Sequence, residues 1–169
     1  EASGNHAQDF PTACALVQAA ADAGADAVKF QLITPELICA DVPILFGHDP
    51  VHDAWCQRLG VTRMPELFQL GGLPRNWCVP LKQCAEDLGL TWICTPFSLE
   101  EARFLVEEVQ VRALKIASGD LRFDPLLCYA ASTNLPVILS TGGATLADQE
   151  GLSEYELWHN PCEKYPDGL

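Results

Sequence analysis

Four short apolar segments, each of which turns polar at its carboxyl end, constrain the fold of this chain most strongly. They cover residues 27–31, 90–95, 113–116 and 136–140, and stretches with apolar residues at helical spacing separate them. Strands that alternate with helices are typical of parallel sheets, whose strands read as apolar runs. The sequence therefore predicts an α/β protein with a parallel sheet.

Capping residues mark where the helices begin and end. Asp9 is an N-cap and Pro11 fits the first turn of a helix that Gly24 ends. Ser98 followed by Glu101 has the spacing of a capping box. Further elements are predicted as helices over Asn76–Leu88, Asp124–Ser132 and Thr145–Leu152, and as a last strand over Glu156–His159.

The alternation fits either a (β/α) barrel or a doubly wound sheet. No G-x-G-x-x-G follows the first strand, which disfavours a dinucleotide-binding fold. We favour the (β/α)8 TIM barrel, because polar residues at the carboxyl ends of barrel strands converge on one site. A full barrel takes about 250 residues. Residues 1–169 are therefore expected to form a partial barrel of about six βα units, with an irregular insertion at 32–72.

The charge balance narrows the class of ligand. Lys and Arg number 10 against 23 Asp and Glu, a net charge of −13, and no basic stripe is present. This disfavours nucleic-acid binding. No apolar run is long enough to cross a membrane. The eight cysteines include no C-x-x-C pair and are interpreted as reduced thiols of a cytoplasmic protein.

Cationic and hydroxyl side chains gather at the predicted strand ends. A lysine inside an apolar strand is costly unless an anion pairs with it. Ammonium groups together with hydroxyls and glycine-loop amides suit a phosphate or a phosphorylated small acid. Three alternatives to an anion site remain. The lysines could extend to the rim of the barrel, the hydroxyls could cap helices, and one lysine could form a Schiff base. The residues concerned are Lys29, Thr95, Lys115, Ser118 and Ser140, with Lys115 as the Schiff-base candidate.

Acid–base and metal candidates lie beside the strand ends and in the insertion. Glu1, His6 and Asp120 are the polar acid–base candidates. His48 and His52 have the i, i+4 spacing of a metal pair on a helix. Pro50 lies between them and argues against a regular helix there, so we favour solvated loop residues.

Five motifs, in order along the chain, resemble the sialic acid synthase family. The opening E-A-S-G-N-H resembles the family's E-x-x-x-N-H, and A-G-A-D-A-V-K-F-Q over residues 23–31 is similar to its next motif. The later motifs match in order, as T-P-F at 95–97, K-I-A-S-G-D at 115–120 and L-S-T-G at 139–142.

The resemblance implies a (β/α)8 barrel transferase that condenses phosphoenolpyruvate with N-acetylmannosamine or a related N-acetylated sugar. The products are a sialic-acid-type nonulosonic acid and phosphate. The enol carbon attacks the sugar aldehyde, water adds at the neighbouring carbon, and phosphate leaves by C–O cleavage. A divalent metal, Mn²⁺ or Mg²⁺, polarises the aldehyde. A cytoplasmic homodimer is also implied.

The resemblance also assigns roles to residues of this chain. Glu1, Lys115 and Asp120 are the implied catalytic residues, and Glu1 orients or protonates the sugar. Asp120 and Tyr165 are the further implied sugar-binding residues. The implied phosphoenolpyruvate-binding residues are Lys29, Thr95, Lys115, Ser118 and Ser140.

The chain departs from the family pattern towards its carboxyl end. The segment after Thr145 is shorter than in the family, and Glu163 stands where a small polar residue is expected. No metal ligand is expected within this chain; the ligands are expected beyond Leu169, and the family's small antifreeze-like domain is expected to be absent. We therefore expect the chain alone to bind phosphoenolpyruvate without catalysing the condensation. The alternatives are a Schiff-base aldolase using Lys115 and a non-catalytic phosphate-binding remnant.

Overall fold

A four-stranded parallel sheet forms the centre of the chain, as the sequence predicts. The computed structural model describes residues 1–145, and the elements predicted after Thr145 lie outside them. The strands follow one another across the sheet in chain order. They are β1 (Ala27–Leu32), β2 (Thr91–Pro96), β3 (Leu114–Ile116) and β4 (Val137–Leu139).

Helices connect the strands, and their ends follow the capping residues. The Asp9 carboxylate accepts from the Thr12 N–H at 2.9 Å, and Ser98 Oγ accepts from the Glu101 N–H at 3.1 Å. Asp124 is the first residue of its helix, as predicted, and Phe123 occupies the N-cap position. The helices are α1 (Phe10–Asp22), α2 (Pro35–Ile38), α3 (Pro50–Leu59), α4 (Met64–Gly71), α5 (Cys78–Asp87), α6 (Leu99–Arg103) and α7 (Asp124–Ser132).

Side-chain alternation along β1 divides the sheet into two faces. Val28, Phe30 and Leu32 are buried in a cluster with apolar residues of α1, α5, α6 and α7. Because successive strand residues point to opposite faces, Lys29 and Gln31 lie on the other face. The sheet therefore presents an apolar face to its helices and a face carrying polar groups on the opposite side.

The 32–72 segment differs from the expected irregular insertion, because it contains α2, α3 and α4. Each of these helices has proline in its first two positions: Pro35, Pro50 and Pro65. Proline is tolerated there because the first N–H groups of a helix have no partner within the helix. The prolines thus begin helices, and Ile44, Cys56 and Val61 form a small separate cluster.

The N-terminal loop packs against the carboxyl end of α4. Gln8 Nε2 donates to the carbonyl oxygens of Gln69 and Gly72 at 2.9 and 2.6 Å. A Cβ on Gly4 would lie 2.8 Å from the Cα of Gly71, so this approach requires glycine. The insertion is thereby tied to the loop that precedes α1.

Two of the cysteines belong to the core of the molecule. Cys78 and Cys94 are buried free thiols. Burial raises the pKa of Cys78 to about 12 and that of Cys94 well above its ordinary value. Both thiols are therefore protonated and unreactive at neutral pH. Within residues 1–145, no helix is both long and apolar enough to cross a membrane.

Candidate anion site at the strand ends

Lys29 lies on the polar face of β1 and is largely buried, with 21% of its side chain exposed. Its ammonium forms an ion pair with the carboxylate of Glu1. Burial lowers the pKa of Lys29, and the positive charge of Lys115 lowers it further, opposed by the nearby Cys94. An anion bound beside Lys29 would favour its charged form and offset both effects.

Lys115 joins the ends of two neighbouring strands. Its ammonium donates to Ser140 Oγ, just after β4, and to the carbonyl oxygen of Ile116 at 2.7 Å. Burial lowers the pKa of Lys115. The predicted grouping of this lysine with Ser140 is thus present in the structure, and the two acceptors set the direction of the ammonium group.

Thr95 adds a hydroxyl to the same face of the sheet. Cys94 pairs with Leu114, so Thr95 and Lys115 follow at the same level on adjacent strands. Thr95 is 3% exposed, and its Oγ1 has no hydrogen-bond partner within residues 1–145. An unpaired buried hydroxyl is costly, so this one is available to donate to a bound anion.

Ser118 and Asp120 lie in a 3-10 turn, Ser118–Asp120, that directly follows β3. Asp120 Oδ2 is buried and has no partner in the described part of the chain. Burial raises the pKa of Asp120, and the charge of Glu101 raises it further. The structure places Ser118 in a cavity of about 290 Å³ whose other lining residues are Gly119, Leu121, Arg122, Gly142, Gly143 and Ala144.

A second, larger cavity of about 590 Å³ opens beside this site. Gln31, two residues after Lys29 on the same face of β1, forms part of its wall. Gln31 is not among the site residues predicted from the sequence, although its spacing from Lys29 is a usable signal. The wall combines amides of the N-terminal loop with an apolar side from α3 and α4, comprising Ser3, Gly4, Asn5, Ala7, Gln8, Trp55, Leu59, Leu67, Leu70 and Gly71.

Glu101 is a second residue whose contacts sequence reasoning missed. It was expected only as a capping-box partner of Ser98. Its carboxylate instead accepts from the N–H groups of Thr34 and Phe97, at 2.6 and 2.8 Å. These residues belong to the loops after β1 and β2, so the contact could not be found without the tertiary structure.

His6 does not join the acid–base candidates, and this prediction is wrong. The residue is fully buried, with its ring 5.8 Å from that of Trp77 and 6.4 Å from that of Phe30. Its Nδ1 accepts from the Gln8 N–H at 3.2 Å, and burial lowers its pKa. Phe30 lies on the apolar face of the sheet, so its contact with His6 places the imidazole in the core. The structure therefore supports a neutral core histidine.

The two histidines of the insertion, His48 and His52, do not lie on the same helix. α3 begins at Pro50, so His48 precedes the helix and His52 lies in its first turn, as the proline between them indicated. Within residues 1–145, no three His, Cys, Asp or Glu side chains converge to hold a metal ion. Tyr165 lies outside the described residues.

Comparison with known proteins identifies relatives of this chain. The sequence profile of the NeuB family matches residues 16–155. The spore coat polysaccharide biosynthesis protein SpsE of Bacillus subtilis is 33% identical over 88% of this chain and 37% of its own length. A pseudaminic acid synthase of Campylobacter jejuni is 30% identical over 99% of this chain and 46% of its own length.

A solved structure shares the fold. It is the N-acetylneuraminic acid synthetase of Leptospira borgpetersenii in complex with citrate, with a TM-score of 0.72 and 28% identity. The match covers 91% of this chain and 47% of that structure. The chain therefore spans less than half the length of these three proteins.

Proposed function

The chain belongs to the NeuB family, and on that premise we propose that it holds the phosphoenolpyruvate-binding part of a nonulosonic acid synthase. The proposed reaction condenses phosphoenolpyruvate with N-acetylmannosamine or a related N-acetylated sugar, releasing phosphate. Relatives named pseudaminic acid synthase, N,N'-diacetyllegionaminic acid synthase and N-acetylneuraminate-9-phosphate synthase support this reaction class.

One observation carries the proposal: two half-buried lysines, Lys29 and Lys115, lie on one face of the sheet in a chain with a net charge of −13. Lys29 and Lys115 lie on adjacent parts of one sheet face, beside the unpartnered hydroxyl of Thr95. Burying two like charges is unfavourable unless an anion neutralises them. A ligand with a phosphate and a carboxylate supplies two such anionic groups.

In the proposed mechanism the two ammonium groups act on the charged ends of phosphoenolpyruvate. Lys115, directed by Ile116 O and Ser140 Oγ, binds one anionic group, while Lys29 binds the other. Thr95 Oγ1 donates a further hydrogen bond. These fixed positive charges stabilise the phosphate that departs after the enol carbon has attacked the sugar aldehyde and water has added. Ser118 and Asp120 are proposed to contribute from the turn after β3.

The acceptor sugar is proposed to bind in the 590 Å³ cavity that begins at Gln31. The enol carbon must lie next to the aldehyde, and this cavity is two residues from Lys29 on the same face. Asn5 and Gln31 offer amides to sugar hydroxyls, and Trp55 offers an apolar surface to an N-acetyl methyl group. Glu1 is proposed to orient or protonate the sugar from its position beside Lys29, with Tyr165 as a further contact.

The complete barrel, the divalent metal and the homodimer are also proposed. Helices packed on one sheet face, with the lysines on the other, support the (β/α)8 barrel. A divalent metal, Mn²⁺ or Mg²⁺, would supply Lewis-acid polarisation of the aldehyde, with ligands beyond Leu169. Residues 1–145 do not make such a site. The cytoplasmic homodimer remains a prediction.

A Schiff-base aldolase is the second candidate, favoured by the lowered pKa of Lys115. Against it, the Lys115 ammonium donates to a backbone carbonyl and a hydroxyl, which positions it as a cation. Borohydride reduction in the presence of pyruvate separates the two. A covalent adduct on Lys115 would establish the aldolase, whereas an unmodified protein that binds phosphoenolpyruvate supports the synthase.

Calorimetric titration of residues 1–169 with phosphoenolpyruvate tests the proposal. The wild type is expected to bind, and Lys115→Ala and Lys29→Ala are each expected to weaken binding by about 10-fold or more, since a charge-assisted hydrogen bond contributes about 1.5–3 kcal/mol. Lys82→Ala is the matched control, because Lys82 is paired with Glu86 on helix α5. Absence of binding by the wild type would overturn the proposal.

An activity assay tests the second half of the proposal. Residues 1–169 mixed with phosphoenolpyruvate, Mn²⁺ and N-acetylmannosamine or a diacetamido sugar are expected to release no phosphate. Condensation by this chain alone would show that the remaining length of the relatives is not needed for catalysis. Binding of phosphoenolpyruvate without release of phosphate is also the outcome that the non-catalytic remnant predicts.

A further inference from the structure

We infer that Glu101 is a positioning residue, whose buried carboxylate holds the loops after β1 and β2 together and thereby sets the geometry of the anion site. The inference rests on the proposed function, because the site that Glu101 positions is the one assigned above to phosphoenolpyruvate. It adds a residue that touches neither lysine and that the family motifs of the sequence do not include.

Burial of the Glu101 carboxylate carries a cost in folding free energy that hydrogen bonds must offset. The residue is 2% exposed, and no salt-bridge partner is found for it within residues 1–145. Its two oxygens accept from the Thr34 N–H at 2.6 Å and the Phe97 N–H at 2.8 Å. Burial of an ionised carboxylate is unfavourable, and hydrogen bonds from backbone N–H groups offset that cost. The same contact satisfies both backbone N–H groups.

The contact joins the two strand ends that carry the site. Thr34 lies two residues after the end of β1, and Phe97 directly follows β2. The last paired residues of these strands are Leu32 and Pro96. A carboxylate that bridges Thr34 and Phe97 therefore fixes the relative position of the strands one step beyond their final backbone pairing.

The lysine and hydroxyl of the anion site lie on these same strands. Thr95 is two residues before Phe97, and Lys29 is five residues before Thr34. The helix itself does not require the contact, since Ser98 already caps α6 by accepting from the Glu101 N–H. The Glu101 carboxylate therefore contacts the loops after β1 and β2 in addition to Ser98 at the start of the helix.

The test compares Glu101 variants with a matched neighbour. Glu101→Ala removes both acceptors, and Glu101→Gln keeps one carbonyl oxygen in the same place. Glu100→Gln is the control, since Glu100 is 61% exposed and pairs with Arg75 on the surface. The measurements are the dissociation constant for phosphoenolpyruvate by calorimetry, the exchange rates of the Thr34 and Phe97 amides by NMR, and the melting temperature.

We expect Glu101→Ala to accelerate exchange of both amides and to weaken phosphoenolpyruvate binding by about 10-fold, because small displacements of binding groups are costly. Glu101→Gln should fall between the wild type and Glu101→Ala, and Glu100→Gln should match the wild type. A purely structural contact would lower the melting temperature and leave the affinity of the folded protein unchanged, which would overturn the inference.

Failure of the inference and failure of the proposed function give different results. If the wild type does not bind phosphoenolpyruvate, the proposed function fails and the inference falls with it. If the wild type binds and the Glu101 variants bind equally well, only the inference is overturned. Should Glu101→Ala not fold, the affinity of Glu101→Gln relative to Glu100→Gln decides the question alone.

Discussion

The ammonium of Lys29 is paired with the carboxylate of Glu1, and the same lysine's carbonyl oxygen accepts from the Ala2 N–H at 2.8 Å. The N-terminal segment is therefore held alongside β1 by one backbone and one side-chain contact. An anion that binds to Lys29 must compete with Glu1 for the same positive charge. If an anion binds as proposed, we therefore expect Glu1 to lower its affinity, in addition to the proposed contact of Glu1 with the sugar.

Glu1→Ala is expected to strengthen binding of inorganic phosphate and phosphoenolpyruvate by a few-fold at low ionic strength. The substitution removes a competing negative charge from Lys29. Titration calorimetry at two salt concentrations measures the effect, which should shrink at higher salt because the pair is partly exposed. Asp26→Ala is a suitable control, since that carboxylate lies at the opposite end of β1. Weaker binding by Glu1→Ala would contradict the competition.

As the pH rises, binding of phosphoenolpyruvate is expected to weaken at a lower pH than it would if both lysines had ordinary pKa values. The pKa values of Lys29 and Lys115 lie below the usual 10.5, so both ammonium groups lose their protons at a lower pH than exposed lysines. The anion stabilises the charged forms, so binding in that range takes up protons. Calorimetry in buffers of different ionisation enthalpy measures this uptake. A constant affinity up to pH 10.5 would contradict it.

Ser140→Ala is expected to weaken phosphoenolpyruvate binding by about 3- to 10-fold, the effect of roughly one hydrogen bond. The Lys115 ammonium loses the acceptor that directs it towards the site and, among the described residues, keeps Ile116 O. Ser132→Ala serves as the control, because Ser132 is exposed and donates only to the Tyr129 carbonyl at the end of α7. Equal affinities of the two variants would show that Ser140 does not orient the lysine.

His6 is expected to make the protein less stable as the pH falls below about 6.5. Its pKa is lowered in the folded state, so the unfolded chain binds the proton first and stability rises with pH through this window. His6→Phe should flatten the dependence of the unfolding free energy on pH between about pH 5 and pH 7. Urea denaturation at several pH values measures it. An unchanged slope in His6→Phe would show that another group titrates there.

Truncation of a buried leucine in the main core is expected to lower the stability much more than truncation of an exposed leucine in the insertion. Leu127→Ala on α7 should cost about 2–5 kcal/mol, because Leu127 is completely buried in the main cluster. Leu45→Ala should change stability by less than about 0.5 kcal/mol, since Leu45 is 76% exposed. Denaturant midpoints of the two variants give the comparison, and similar losses would contradict the assignment of the core.

Much of the fold was predictable because it depends on neighbours along the chain. The apolar runs predicted all four strands, and the side chains of Asp9 and Ser98 cap helices where their positions indicated. The grouping of Lys115 with Ser140 followed from the rule that the carboxyl ends of parallel strands meet at one edge. These features need only periodicity, capping chemistry and strand direction.

Long-range packing decided the remaining features. His6 follows the polar segment that suggested a site residue, yet its ring packs against Trp77 and Phe30 in the core. Glu101 has the spacing of a capping box, yet its carboxylate reaches the Thr34 N–H 67 positions earlier in the chain. Local sequence rules cannot weigh such contacts, because the burial of a side chain depends on which distant elements the fold brings beside it. The sequence by itself determined the strands, the helix caps and the candidate anion-binding residues, whereas the tertiary structure decided which polar groups face the site and which support it.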